Sequence, residues 1–377
     1  MVKKMETFDC ELNQQVIFGN NTIERLGELT HKRGGSRALV VTDAGIEKVG
    51  ILARAVSALQ NEKIAAYVFA DTTPNPTTED VDAALAVAKT NAPIDLIIGL
   101  GGGSSMDCAK GVNFLLTNGG KMEDYWGTDK ATQPMLPSIG IPTTIGTGSE
   151  AQSYALIAQT DTHIKMACGD KKARFGTVIL DATLTETLPR SVAAVTGIDA
   201  IAHAIESFVS TRHTLMSQMF AQHAWELLNR HFAACLEPEN ATARSKMLFG
   251  AYLAGLAIEN SMLGAAHASA NPLTARYGVT HGVAVALMLP HVIRFNSTVA
   301  GDAYRELHPD GDLADRITTL KQMGNLPGRL RDYSVQHTIG TADIPTLAEE
   351  AATQWTAQFN PRSLNIRDFM RLYEQIY

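Results

Sequence analysis

No run of about 18 or more uncharged apolar residues occurs in the 377-residue chain, so the sequence predicts no membrane-spanning helix. The opening stretch MVKKMETFDCELNQQ has lysines but no apolar segment behind them, which predicts no secretory leader and a soluble, cytoplasmic protein. Asn-x-Ser/Thr triplets at Asn20, Asn240 and Asn296 carry no meaning without secretion. Only four cysteines occur (Cys10, Cys108, Cys168, Cys235), none in CxxC spacing, which excludes a disulfide framework and a zinc ribbon and predicts reduced thiols. No Lys/Arg-rich run is present, and 32 basic against 39 acidic residues leave a net charge of -7; nucleic acid is excluded as a partner. Internal repeats and low-complexity linkers are also lacking.

The chain is longer than one hydrophobic core usually supports, so two domains are expected, 1–187 and 188–377. Four apolar runs of strand length, RALVVTD (37–43), IAAYVFA (64–70), DLIIGLG (95–101) and PSIGIPTT (137–144), alternate with helical patterns such as TTEDVDAALAVAKTN (77–91). That alternation predicts an α/β, Rossmann-like layer around a parallel sheet. SYALIA (153–158), HIKMAC (163–168) and GTVILD (176–181) read as shorter strands, partly a hairpin at the sheet edge. From about Leu188 the chain turns Ala/Leu/Met-rich with helical period, and Pro189 suits the first turn of a new helix. An all-α second domain is expected, packed so that a cleft lies between the halves.

The third strand runs into IIGLGGGSSMDCAKG (97–111). Glycines followed by serines at a helix start let backbone N–H groups approach an anion, and the helix N-terminus adds a favourable field, so a pyrophosphate fits. Asp43, at the end of an earlier strand, lies on the same sheet edge. It reads either as a helix cap or as the acid that accepts from adenosine ribose hydroxyls; the latter favours NAD over NADP. A second polar loop, IPTTIGTGSE (141–150), supplies Thr143, Thr144 and Thr147.

In the second half, DAIAH places Asp199 and His203 one turn apart on a helix face. The pair is either a hydrogen-bonded core contact or half of a metal site, since carboxylate and neutral imidazole both ligate metals. Further donors lie in GAAHASANPLTARYGVTHGVAVALMLPH (264–291), where His267 and His281 are flanked by small residues and His291 follows Pro290 in an apolar helix; the first two are the better candidates.

These segments together resemble the iron-containing (group III) alcohol dehydrogenase family over essentially the whole chain: GGGSSMDCAK, PTTIGTGSE, GIDAIAHAIES, His267 and His281 stand in the family's order. The resemblance implies a dinucleotide-binding N-terminal domain and a helical, metal-binding C-terminal domain, the architecture shared with dehydroquinate synthase. It implies a divalent metal on Asp199, His203, His267 and His281. It further implies NAD contacts from Asp43, Asn75, Gly101, Gly102, Gly103, Ser104, Thr143, Thr144, Thr147, Lys165 and Leu184, and a substrate pocket lined by Tyr154, Ile258 and Leu263. Three imidazoles and a carboxylate suit several metals, with Zn(II) binding more tightly than Fe(II); iron is expected from kinship alone. The expected reaction is NAD-linked oxidation of a small alcohol, or reduction of an aldehyde, by a homodimer or larger homo-oligomer. A lyase like dehydroquinate synthase and a non-catalytic NAD- and metal-binding protein are the rival readings. The chain departs from the family at Asn271, where many members carry a proton-relaying histidine; an amide cannot exchange a proton as imidazole does.

Overall fold

The structure is a computed structural model describing residues 7–162, 164–237, 239–333 and 340–377. The chain divides into two compact units: Asn13–Leu188, and Pro189–Tyr377 with the described residues before Asn13.

The first unit contains β1 (Gln15–Phe18), α1 (Leu26–Lys32), β2 (Arg37–Val41), α2 (Ala44–Lys48), α3 (Ile51–Asn61), β3 (Ala65–Phe69), α4 (Thr78–Thr90), β4 (Leu96–Gly101), α5 (Gly103–Asn118), β5 (Gly127–Thr128), β6 (Ser138–Pro142), β7 (Tyr154–Ala158), β8 (Lys165–Gly169) and β9 (Thr177–Leu180). Six strands pair in the order β1-β9-β6-β4-β2-β3, all parallel. β4 and β6 are buried along their whole length, as strands covered on both faces must be, and their unbroken apolar runs reflect that. On one face Leu26, Leu29, Ala55 and Leu59 of α1 and α3 pack on Val40, Ile98, Ile139 and Ile179 of the strands. The chain steps outward from β2 to β3 and then returns to β4 on the other side of β2. Strand order therefore reverses between β2 and β4, where open α/β sheets bind ligands beyond the strands' carboxyl ends.

Two expectations need correction. Of the three short strands, β7 and β8 do form an antiparallel hairpin, but in a separate three-stranded sheet with β5; residue 163 lies outside the described residues. GTVILD instead supplies β9, inside the main sheet between β6 and the unforeseen edge strand β1. Its four residues are all buried, as an interior strand requires.

The second unit is helical: α6 (Arg190–Val209), α7 (Leu215–Cys235), α8 (Ala241–Glu259), α9 (Ala265–Tyr277), α10 (His281–Leu307), α11 (Leu313–Met323), α12 (Ile344–Thr353) and α13 (Ile366–Ile376). Pro189 stands at the N-cap of α6, one position before the first turn. α6 and α10 are long and apolar enough to cross a membrane, yet most of each apolar stretch is buried inside the protein, which marks them as core helices.

Candidate functional site

In the first unit, β4 ends at Gly101 and α5 starts two residues later, with Gly102 as an N-cap that offers no side chain. Gly101 has φ 147°, which L side chains rarely adopt, and a Cβ there would fall 2.5 Å from Ser105 Oγ and 3.1 Å from Asp43 Oδ2. A Cβ on Gly103 would lie 2.9 Å from Thr147 Cγ2, and one on Gly102 would lie 3.3 Å from Thr144 Cγ2. The two loops predicted to serve one ligand are therefore in contact, and the Thr143 N–H donates to Gly101 O at 2.9 Å. The Asn75 N–H donates to Ser104 Oγ (3.2 Å), and Lys165 Nζ donates to Asn75 Oδ1 (3.5 Å).

Of the two readings of Asp43, the helix cap is the one seen. Its Oδ1 caps α2, accepting from Gly45 N–H and Ile46 N–H, while Oδ2 accepts from Ser105 Oγ at 3.1 Å beside the glycine loop. Leu184 is different: its side chain is 1% exposed and sits in the apolar core of the sheet. The first-turn N–H groups of α5 receive no side-chain cap, the backbone at 102–104 is half-exposed, and Thr144 Oγ1 makes no hydrogen bond among the described residues. An open helix start with bare backbone and a buried unpaired hydroxyl suits an anionic, hydroxyl-rich ligand such as a dinucleotide.

A support for these loops escaped sequence reasoning. Lys110, 1% exposed, donates through Nζ to Ser149 O (2.8 Å), Ser149 Oγ (2.9 Å) and Tyr154 O (2.7 Å), and Ser149 Oγ donates to Asp107 Oδ1 at 2.6 Å. One buried ammonium thus ties α5 to the Thr147–Glu150 turn and to β7. The signal was present as Asp107 and Lys110, an i,i+3 charge pair in an otherwise apolar helix, but such pairs ordinarily lie on a solvated face.

In the second unit, Asp199 and His203 of α6 and His267 of α9 each offer one ligand atom within 4.8 Å of the others. His281, the first residue of α10, joins them. The Nε2 atoms of His267, His203 and His281 lie 3.4, 3.6 and 3.8 Å from Asp199 Oδ1. Three of the four residues are nearly inaccessible, whereas the His281 side chain keeps 24% exposure. Asp199 Oδ1 and His267 Nε2 are buried and make no hydrogen bond among the described residues. Buried polar atoms rarely stay unsatisfied, so two of them converging at one point fit a cation between them. Burial opposes charge on Asp199, but His203, His267 and His281 around it hold its carboxyl well below the usual carboxylate range. Burial likewise presses the His267 imidazole down, and Asp199 and Glu206 outweigh it, raising the group to about 9.

Glu206 was missed by sequence reasoning. It lies on the Asp199–His203 face one further turn along α6, and Oε2 takes the Nδ1 of His267 at 2.6 Å. An acid at i+7 from Asp199 within the buried stripe was the available sign. His291, further along α10, is half-buried and hydrogen-bonds with the Gln375 side chain. Asn271 is half-buried, and its Nδ2 donates to Gln354 Oε1 at 3.0 Å. Of the expected pocket residues, Tyr154 is half-buried in β7 of the first unit, while in the second unit Ile258 is buried in α8 and Leu263 half-buried.

Residues 13–182 match the family model described as iron-containing alcohol dehydrogenase, and residues 193–377 match its C-terminal counterpart. The chain is 34% identical to alcohol dehydrogenase 4 of Schizosaccharomyces pombe, over 92% of this chain and 83% of that one. Among solved structures, a 1,3-propanediol oxidoreductase aligns with TM-score 0.94 at 30% identity over 99% and 100% of the two chains. The sulfoacetaldehyde reductase of Bifidobacterium kashiwanohense in complex with NAD+ aligns with TM-score 0.88 at 27% identity over 98% and 99%.

Proposed function

Because the chain belongs to the iron-containing alcohol dehydrogenase family and is an NAD-linked oxidoreductase, we propose that Asp199, His203, His267 and His281 hold its divalent metal, Fe(II), in catalysis on a small alcohol or aldehyde. The observation that carries this reading is the convergence of Asp199 Oδ1 and His267 Nε2, buried and without hydrogen bonds among the described residues. When bound, the metal supplies a Lewis acid and the nicotinamide a hydride donor or acceptor. The family match sets the lyase reading aside.

The chain's own residues then have separable tasks. Gly101–Ser104 and the start of α5 take the pyrophosphate through backbone N–H groups. Asp43 accepts from the adenosine ribose and repels a 2′-phosphate, which selects NAD over NADP. Asn75, Thr143, Thr144, Thr147 and Lys165 orient the remainder of the cofactor, and Leu184 supports it from the core. Tyr154, Ile258 and Leu263 shape the substrate's surroundings. The Asn271 amide does not titrate near neutral pH and its Nδ2 donates to Gln354, so the alcohol proton leaves through water, a ribose hydroxyl or another group. Cys108, Cys168 and Cys235 are buried thiols, which suits the reducing cytoplasm, where we place the enzyme as a homodimer or larger homo-oligomer.

The test is an anaerobic panel of alcohols and aldehydes with NAD(H) and NADP(H), using protein stripped of metal and reloaded with Fe(II) or Zn(II). Turnover that needs a metal and prefers NAD(H) is expected. Full turnover in stripped protein would reject the metal's role, and a preference for NADP(H) would reject the role of Asp43.

A further inference from the structure

α9 carries His267 in its first turn, yet its N-cap is Gly264, which has no side chain to satisfy the buried first-turn N–H groups. Two buried side chains from distant parts of the chain do so instead. Glu206 Oε1 accepts from Ala266 N–H at 2.7 Å, while its Oε2 engages His267 Nδ1 at 2.6 Å. Asn360 Oδ1 accepts from Ala265 N–H at 3.2 Å. Asn360 is itself held: Asn296 Nδ2 of α10 donates to the same Oδ1 (2.9 Å), and Asn360 Nδ2 donates back to Asn296 Oδ1 (2.7 Å) and to Arg362 O (2.6 Å). A Cβ on Gly264 would fall 3.0 Å from Asn360 Oδ1 and 3.1 Å from Glu206 Oε1, so the glycine leaves the space both caps occupy.

We propose that Glu206 and Asn360 are positioning residues for His267: together they fix the start of α9, and Glu206 also holds the ring so that Nε2 faces Asp199. The affinity of the site for its metal is then set partly by the chain segment around Asn360, 93 residues beyond His267 in sequence. Glu206 acts on both ring and backbone through one carboxylate. An Nδ1–H donated to a carboxylate leaves Nε2 as the ligand atom and makes it a better base. This rests on the metal role proposed for His267.

Glu206→Gln separates this from a merely structural role. An amide has one acceptor, so in either orientation it loses the contact with Ala266 N–H or the acceptor for Nδ1–H. Cobalt(II) titration of the full chain against a chelator should show affinity about 10–100-fold weaker, with a changed visible spectrum of the bound cobalt. Asn360→Ala should weaken cobalt by less, about tenfold at most, because it acts on the backbone alone. Asn365→Ala removes the N-cap of α13, where Asn365 accepts from Arg367 and Asp368 N–H groups; it should lower the melting temperature and leave cobalt affinity unchanged. The far-UV helical signal checks that the second unit of each variant folds. Native cobalt affinity and spectrum in Glu206→Gln and Asn360→Ala, with the helical signal intact, would overturn the proposal. Failure of the metal reading looks different, because the unsubstituted chain itself then takes up no metal and both ideas fall.

Discussion

The two units assemble their candidate sites from opposite materials. In Asn13–Leu188 the site is made by leaving side chains out: glycines at the carboxyl end of β4 expose backbone N–H groups, and the polar side chains nearby line the edge of that opening. In Pro189–Tyr377 it is made by bringing side chains in, from three helices to one buried point, with a carboxylate behind the ring of His267. Backbone donors need only the local chain path, whereas convergent side chains need their helices held in register. The first site should therefore fail by steric filling and the second by loss of a ligand or of its support.

The sharpest break in the comparison is a pair of substitutions with opposite effects. His267→Ala removes a donor that nothing nearby replaces, so metal affinity should fall by more than roughly a hundredfold and turnover should vanish, with NADH binding retained. Gly101→Ala puts a Cβ at φ 147° against Ser105 Oγ, a strain of about 1–3 kcal/mol that should weaken NADH about 10–100-fold while metal content stays native. Fluorescence titration with NADH and metal analysis of the same two preparations check both halves. If either substitution abolished both functions, the sites could not be treated as separately built.

Lys110→Met tests the support beneath the first site. It leaves Asp107 without its buried partner and frees the carbonyls of Ser149 and Tyr154, so the loss should be about 3–5 kcal/mol by urea unfolding. Adding Asp107→Asn should restore part of it. Loss of stability without recovery in the double variant would locate the importance of Lys110 in the carbonyls it bonds, not in the charge pair.

Much of this contrast was legible in the sequence, for physical reasons that differ by element. Interior strands such as LIIGLG announce themselves because a strand covered on both faces can be apolar at every position, and GGGS followed by a helix pattern marks bare backbone at a helix start. β1, QVIF, was invisible: four residues of mixed character become a strand only because β9 offers an edge. The ligands on α6 stood out as polar residues one turn apart in an apolar helix, but Glu206, near that helix's end, reads as an ordinary surface acid. Asn360 belongs to no periodic pattern, and its role exists only once the fold brings it to Ala265 and Asn296.

A pH-dependent test of the first unit's support concerns Glu150, which ends its polar loop. It is buried, its Oε2 makes no hydrogen bond among the described residues, and burial pushes its carboxyl up to about 7, with a hydrogen bond from its own backbone N–H and the charge of Lys110 only partly opposing. A carboxyl whose folded value lies above its unfolded one binds its proton more tightly when folded. Stability from this group is then full below about pH 4.5 and declines as pH rises towards about 7, beyond which the loss is complete. Glu150→Gln removes that dependence, and any cost of burying the amide is the same at every pH. Between pH 5 and pH 8 the variant should therefore gain roughly 2–3 kcal/mol relative to the native chain, measured by urea unfolding at both values. A constant difference across that range would mean that Glu150 stays ionised in the folded chain, with its charge satisfied by Lys110. The hub that braces the glycine loops would then include a second carboxylate beside Asp107, and the first unit would hold its backbone site with the same buried, paired charge that the second uses to hold His267.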